Sequence, residues 1–188
     1  MYKPNVRSGS GWYKVKPDYM IGMNDDLDLL IVGGYYGTGR RTGLLSHFLL
    51  AVAVVDKKAS TEEEKSDELV ELKVFHSICK VGSGYTMKEL SDFNRKLTNK
   101  WSLYDKKDPP KHLAVTNEKP DVWIKPEDSF IVQIKAVEIV ASDKYKTGCT
   151  LRFPRLEKFR EDKLWHECMT LAELNELRSV NLRTRHRS

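Results

Sequence analysis

Two nearly unbroken apolar runs open the patterned part of the chain, Leu27 to Val32 and His47 to Val55, and turn-forming residues bound both. Runs of that length without helical spacing predict buried strands. Between them Gly33, Gly34, Gly37, Gly39 and Gly43 are interleaved with Tyr35, Tyr36, Arg40 and Arg41, which predicts a long glycine-rich hairpin. Residues 56–68 are charged and small with no periodicity, so they read as a surface loop ahead of a third strand, about Leu69 to Val81.

After Gly82-Ser83-Gly84-Tyr85 the period changes. Thr86-Met87-Lys88-Glu89 has the spacing of a capping box, and Met87, Leu90, Phe93, Leu97 and Trp101 recur at three- and four-residue steps. That spacing predicts an amphipathic helix with those residues on its buried face, and Pro109-Pro110 bars any continuation. Val122-Trp123-Ile124 reads as a short strand ended by Pro126. Phe130, Val132, Ile134 and Ala136 then alternate until the pattern slips to Val137 and Ile139, a slip that implies a bulge. A last strand, Thr150 to Phe153, precedes a charged helical tail with a second capping box, Thr170-Leu171-Ala172-Glu173. Three strands, a helix and two or three more strands are the layout of an all-β oligonucleotide-binding-fold (OB-fold) Greek-key barrel, with one helix between strands three and four and a C-terminal helical tail.

At 188 residues the chain has room for one ordinary domain and its tails. No apolar run approaches the ~18 residues of a membrane span, so no membrane is expected as a partner. Met1 to Arg7 lacks the apolar stretch of a secretory signal, which favours a reducing compartment. Cys79, Cys149 and Cys168 are odd in number and lack Cys-x-x-Cys spacing, so they are expected as buried free thiols. His47, His76, His112 and His166 show no ligand spacing either, and no metal site is expected.

Charge changes the picture more than composition does. The net charge is +5, but Glu62 to Glu71 carries six acids against one lysine, so the remainder stands at +10. Lys3, Arg7, Lys14 and Lys16 near one end, and Arg178, Arg183, Arg185 and Arg187 near the other, point to a polyanionic partner. The densest group is Arg152, Arg155, Arg160 and Lys163. Guanidinium forks bind phosphate oxygens in pairs and lysine adds a mobile point charge, so a polyphosphate suits such a set. The same segment also suits a charged helix with Glu157, Glu161 and Asp162 as internal partners. Arg40 and Arg41 are further DNA-contact candidates, because glycines let a backbone approach phosphates; a solvated hairpin tip is the competing reading.

Thr150-Leu151-Arg152-Phe153-Pro154-Arg155, followed by Arg160-Glu161-Asp162-Lys163, resembles motif VI of eukaryotic ATP-dependent DNA ligases. Trp12-Tyr13-Lys14-Val15-Lys16-Pro17 resembles their motif V, at the junction between the nucleotidyltransferase and OB domains. Leu29 to Tyr35, Ser46-His47-Phe48, Gly82 to Thr86, Lys146 to Cys149 and Trp165-His166-Glu167-Cys168 look like the ligase IV type. The resemblance covers about residues 2–178. It implies a motif V strand and junction over 1–20, an OB-fold domain over 21–178 and a basic tail or linker over 179–188.

By that resemblance Lys14 and Lys16 would contact the nucleotide phosphate, and Arg160, Asp162 and Lys163 would orient the pyrophosphate leaving group when the OB domain closes over ATP. Arg152, Phe153 and Arg155 would face DNA once the domain has swung, with Phe153 as a wedge against the minor groove beside a nick. The chain holds no Lys-x-Asp-Gly motif, the family's site of adenylation, so alone it is expected to be inert and to hold no cofactor stably. ATP and Mg2+ would serve the full-length enzyme, in the nucleus. The implied partners are nicked duplex DNA or joined ends, the enzyme's own nucleotidyltransferase and DNA-binding domains, and proteins of non-homologous end joining. Two other readings stay open at this point: a free-standing module that stacks single strands on Tyr35, Tyr36 and Tyr85, and a protein-docking domain that presents the acidic loop or the Trp165-His166 region.

Overall fold

The computed structural model describes residues 26–55 and 72–185. Lys14 and Lys16 with the motif V stretch, the acidic loop at 56–68 and Arg187 lie outside the described residues.

β1 (Leu27–Tyr36), β2 (Leu45–Val55) and β3 (Leu72–Val81) form an antiparallel meander, as their apolar runs predict. β1 runs four residues further than expected, because Gly33 and Gly34 stay in the ladder opposite Leu49 and Phe48. α1 (Met87–Lys96) follows with both halves of its capping box made: Glu89 N–H donates to Thr86 Oγ1 at 3.2 Å and Thr86 N–H to Glu89 Oε2 at 2.7 Å. Leu90, Phe93 and Leu97 are buried, while Met87 is exposed and Trp101 already belongs to the next strand. The chain leaves the helix through Asn99 in the left-handed region, φ 68°. Asn94 stitches the helix to the barrel by accepting from Leu45 N at 2.8 Å and donating to Leu45 O at 3.0 Å.

Short strands then return to the sheet: β4 (Trp101–Leu103), β5 (Leu113–Ala114), β6 (Val122–Ile124) and β7 (Ile131–Lys135). β5 lies parallel to β3, and β6 bridges β1 and β4. β7 pairs with the N-terminal half of β1. At Ala136–Val137, where the alternation slips, the chain leaves one sheet for another. Among the described residues β8 (Glu138–Ala141) pairs only with β9 (Cys149–Arg152), and the intervening loop is held to β3 by Thr147 N–H donating to Ser77 O.

The segment after Phe153 corrects one expectation. It is not helical there: Arg155–Arg160 is a strand, β10, antiparallel to β7, and the helix α2 begins only at Leu171, running to Arg185. A register shift between Leu156 and Lys158 explains the misreading. Leu156 points inward before the shift and Phe159 after it, so the inward residues stand three apart, as on a helix. The second capping box is present, with Glu173 N–H donating to Thr170 Oγ1 and Thr170 N–H to Glu173 Oε2, both at 3.3 Å.

The barrel interior gathers Leu27, Leu29, Ile31, Phe48, Leu50, Ile78, Leu90, Phe93 and Leu156. A second apolar layer covers the outer face of β1 to β3, where Leu30, Val32, Leu49, Ala51 and Phe75 meet Leu113, Trp123 and Trp165. The three cysteines are buried free thiols, as expected, and burial raises those of Cys79 and Cys168, the latter to about 12. Phe93 sits at the centre of the interior, 4.7 Å from the ring of Phe159, 5.0 Å from Phe48 and 6.1 Å from Phe130. Phe93→Ala should therefore lower stability by about 3–5 kcal/mol through lost burial and a residual cavity. A shift of the denaturation midpoint at unchanged slope checks this.

Candidate functional site

β10 carries the candidate residues to two separate ends. Its entrance is the turn Arg152-Phe153-Pro154-Arg155, and its exit is Arg160 with the turn Glu161-Asp162-Lys163. The strand's rise puts the ends about 17 Å apart along its axis.

At the entrance, Phe153 takes φ 53° and leaves 48% of its surface exposed. It is not a core residue of an alternating strand. A left-handed conformation is costly for an aromatic residue and persists where the surroundings impose it. β9 ends and β10 begins within three residues, and Arg152 covers the ring, its guanidinium carbon 5.3 Å from the centroid. Arg152 is itself steered by Glu138 on β8, which accepts from Nη1 at 2.8 Å. Arg155 is exposed at the strand start, opposite Lys135.

Two loops support this turn. Ser83 O accepts from Leu156 N at 3.0 Å, and Gly84 lies so close to β10 that an added Cβ would stand 2.1 Å from Leu156 O. Gly84 also has φ +100°, so only glycine fits without strain. Arg41 then joins the glycine-rich hairpin to the same loop. Its Nη1 donates to Gly82 O at 3.0 Å and its guanidinium lies 5.5 Å from the Tyr85 ring centroid. The structure thus turns Arg41 inward as a brace, while Arg40 beside it is exposed. The hairpin tip, the Gly82–Tyr85 loop and the Phe153 turn form one contiguous edge.

At the exit, four charged groups interlock. Arg160 donates Nε and Nη2 to the two oxygens of Asp162, at 2.9 and 2.8 Å, and Nη1 to both oxygens of Asp28 at 3.3 Å. Lys163 Nζ reaches Asp28 Oδ2 at 2.7 Å. Glu161 pairs with Lys96 of α1, which ties the turn to the helix. Sequence reasoning missed Asp28, although its signal is plain: a carboxylate between two leucines in a strand otherwise apolar to Val32. The forked hydrogen bond from Arg160 holds the Asp162 carboxyl well below the usual carboxylate range. Of the three acids considered as internal partners for this segment, Asp162 pairs with Arg160 within it but from a strand end and turn, not a helix, Glu161 turns to Lys96, and Glu157 faces Lys135 across strands at 3.7 Å.

Tyr35 is buried and Tyr85 donates its hydroxyl to Ser46 O, so of the three tyrosines only Tyr36 is exposed. A stacking platform for single strands therefore loses two of its members.

Barrel, helix and forked cation set define an OB-fold domain with a phosphate-compatible end. The ligase domain from M. tuberculosis LigD has a similar fold, with a TM-score of 0.51 at 16% identity over 77% of this chain and 38% of that one. A family model, ATP dependent DNA ligase C terminal region, matches residues 41–163, and the chain belongs to that family. It is 58% identical to DNA ligase 4 of Gallus gallus and 55% identical to DNA ligase 4 of Homo sapiens, each over 178 residues that make up 95% of this chain and 18% of the relative. DNA ligase 4 of Dictyostelium discoideum is 43% identical over 94% of this chain and 17% of its own length. The chain thus spans less than a fifth of the length of these relatives.

The Asp162 geometry has a measurable consequence. Its folded-state pKa lies below the unfolded value of ~3.9, so its pairing favours the folded chain above about pH 4 and fades as pH falls through the lower folded value. A carboxyl-carbon titration should place Asp162 well below the usual carboxylate range, and Arg160→Gln should raise it. An ordinary midpoint in the unaltered chain would contradict the fork.

Proposed function

We propose that the chain is the OB-fold domain of an ATP-dependent DNA ligase that seals strand breaks in non-homologous end joining, in the nucleus. The observation that carries this reading is the separation of two chemistries at the two ends of β10 in a chain with these relatives. The Arg160–Lys163 end serves the nucleotide step. There a lysine amine of the full-length enzyme attacks the α-phosphorus of ATP, the bond to the bridging oxygen breaks and pyrophosphate departs with the charge. Arg160 and Lys163 neutralise that leaving group, which needs no proton transfer from them. Lys14 and Lys16 contact the nucleotide phosphate in the same step, and Mg2+ accompanies the ATP. Asp162 holds the Arg160 fork until phosphate oxygens take its place.

The Phe153 end serves DNA. Arg152, Arg155 and Arg40 pair with backbone phosphates while the exposed ring presses into the minor groove beside the nick. Arg41 braces the loop through Nη1 and keeps its other N–H groups for phosphate beside Arg40. The other partners are the ligase's nucleotidyltransferase and DNA-binding domains, joined to residues 21–178 through the 1–20 stretch, and proteins of the end-joining assembly.

The two ends should fail at different steps. In the full-length enzyme, Lys163→Ala or Arg160→Ala should slow self-adenylation roughly a hundredfold while costing much less in sealing a nick that already carries AMP. Phe153→Ala should leave self-adenylation near normal and reduce sealing. Assaying both half-reactions tests the division; equal losses in both for all three variants would sink it.

The chain alone should bind duplex DNA weakly and without sequence preference, since its cations meet phosphates and no element among the described residues is placed to read base edges. Affinity measured against rising salt should fall steeply; a salt-independent or sequence-specific affinity would contradict the assignment.

A further inference from the structure

Both cations of the exit cluster meet on one carboxylate that motif spacing alone does not pick out. Asp28 lies on β1 between Leu27 and Leu29, each 0% exposed, and alternation turns it to the outer face of the barrel. β1 is hydrogen-bonded to β2 on one side and β7 on the other, and Asp28 O also accepts from Met169 N at 2.8 Å, so the position is fixed by the sheet. Lys163, by contrast, sits in a turn on a long flexible stem. Its ammonium comes to a definite place because Asp28 Oδ2 holds it at 2.7 Å.

We propose that Asp28 is a positioning residue that anchors Arg160 and Lys163 to the barrel wall, so that their remaining donors face a polyphosphate. This rests on the reading of that end as the pyrophosphate-facing site. Lys163 spends one of its three donors on Asp28 and keeps two. Arg160 gives Nη1 to Asp28 and its other edge to Asp162. The two carboxylates differ in exposure: the Asp162 side chain is 57% exposed and that of Asp28 20%. The exposed one can yield the Arg160 fork to phosphate oxygens, which have the same paired geometry, while the sheltered one keeps hold. Asp28 is thus the fixed point and Asp162 the exchangeable partner.

The test uses the full-length enzyme carrying Asp28→Asn, which retains shape and loses charge. Self-adenylation at saturating ATP should fall about tenfold to a hundredfold, as for a misplaced group near the reacting atoms. Sealing of a pre-adenylated nick, which releases no pyrophosphate, should fall far less, and Asp28→Glu should recover part of the lost adenylation. In a Lys163→Ala background the same Asp28→Asn change should cost little more, because the two act through one contact. Equal falls in both half-reactions together with a lowered melting temperature would overturn the proposal in favour of a structural role. Faster adenylation would overturn it too, by showing that Asp28 competes with phosphate. If Asp28→Asn is inert while Arg160→Ala and Lys163→Ala impair adenylation, this inference alone falls. If those two are also without effect, the polyphosphate reading falls and takes the inference with it.

Discussion

β1 bears the largest share of constraint in the molecule. One of its edges is paired to β2 from Leu30 to Tyr36, and the other is divided between β7, over Leu27 to Leu30, and β6, over Gly33 and Gly34. Both faces are covered, the inner by the barrel and the outer by the layer containing Phe75, Leu113 and Trp123. A strand enclosed in this way has almost no tolerance for slippage, because a one-residue shift would exchange its two apolar sets and carry Asp28 into the core. The position of Asp28, and through it of Arg160 and Lys163, is therefore set by the same pairing that closes the barrel. Strand order, core and the charged cluster at the exit of β10 are three consequences of one register.

How far this could be read from the chain depended on whether the signal was local. The meander, the α1 cap at Thr86 and Glu89, the Val122–Ile124 strand and the second cap at Thr170 were legible because each rests on residues within four positions of one another. β4 and β5 were not: Trp101 continues the three- and four-residue spacing of α1, Leu113–Ala114 is too short to carry a period, and both lie as strands where β6 and β3 offer them an edge. β10 was misread for a different reason. Its bulge places Leu156 and Phe159 three apart on the inner side, a spacing that sequence alone assigns to a helix, and only the Phe93 ring stacked on Phe159 shows why that phase is kept. Among the site residues, Arg160, Asp162 and Lys163 were found as a cluster in sequence. Asp28, 132 residues from Arg160, was not, although it completes the cluster. Arg41 carries a second role that its loop context did not suggest: its Nη1 braces the Gly82 loop.

The bulge in β10 also explains how one short strand both packs into the core and carries a cation at each end. A regular strand from Arg155 to Arg160 would alternate, and with Leu156 inward it would send Lys158 and Arg160 inward as well. Arg160 would then be buried and Phe159 exposed. The extra residue reverses the phase midway, so Arg155, Glu157, Lys158 and Arg160 all lie outside while Leu156 and Phe159 both pack within. The strand is anchored to the core at two points and still delivers a cation at each end. The ends differ in what restrains them. At the exit, Arg160 is held by carboxylates, and such contacts exchange readily for phosphate of similar geometry. At the entrance, Phe153 is set by a left-handed backbone between two strands and by the Arg152 guanidinium beside its ring. One end is therefore a network of charges set by side-chain pairing, and the other an exposed ring set by the backbone and flanked by Arg152 and Arg155.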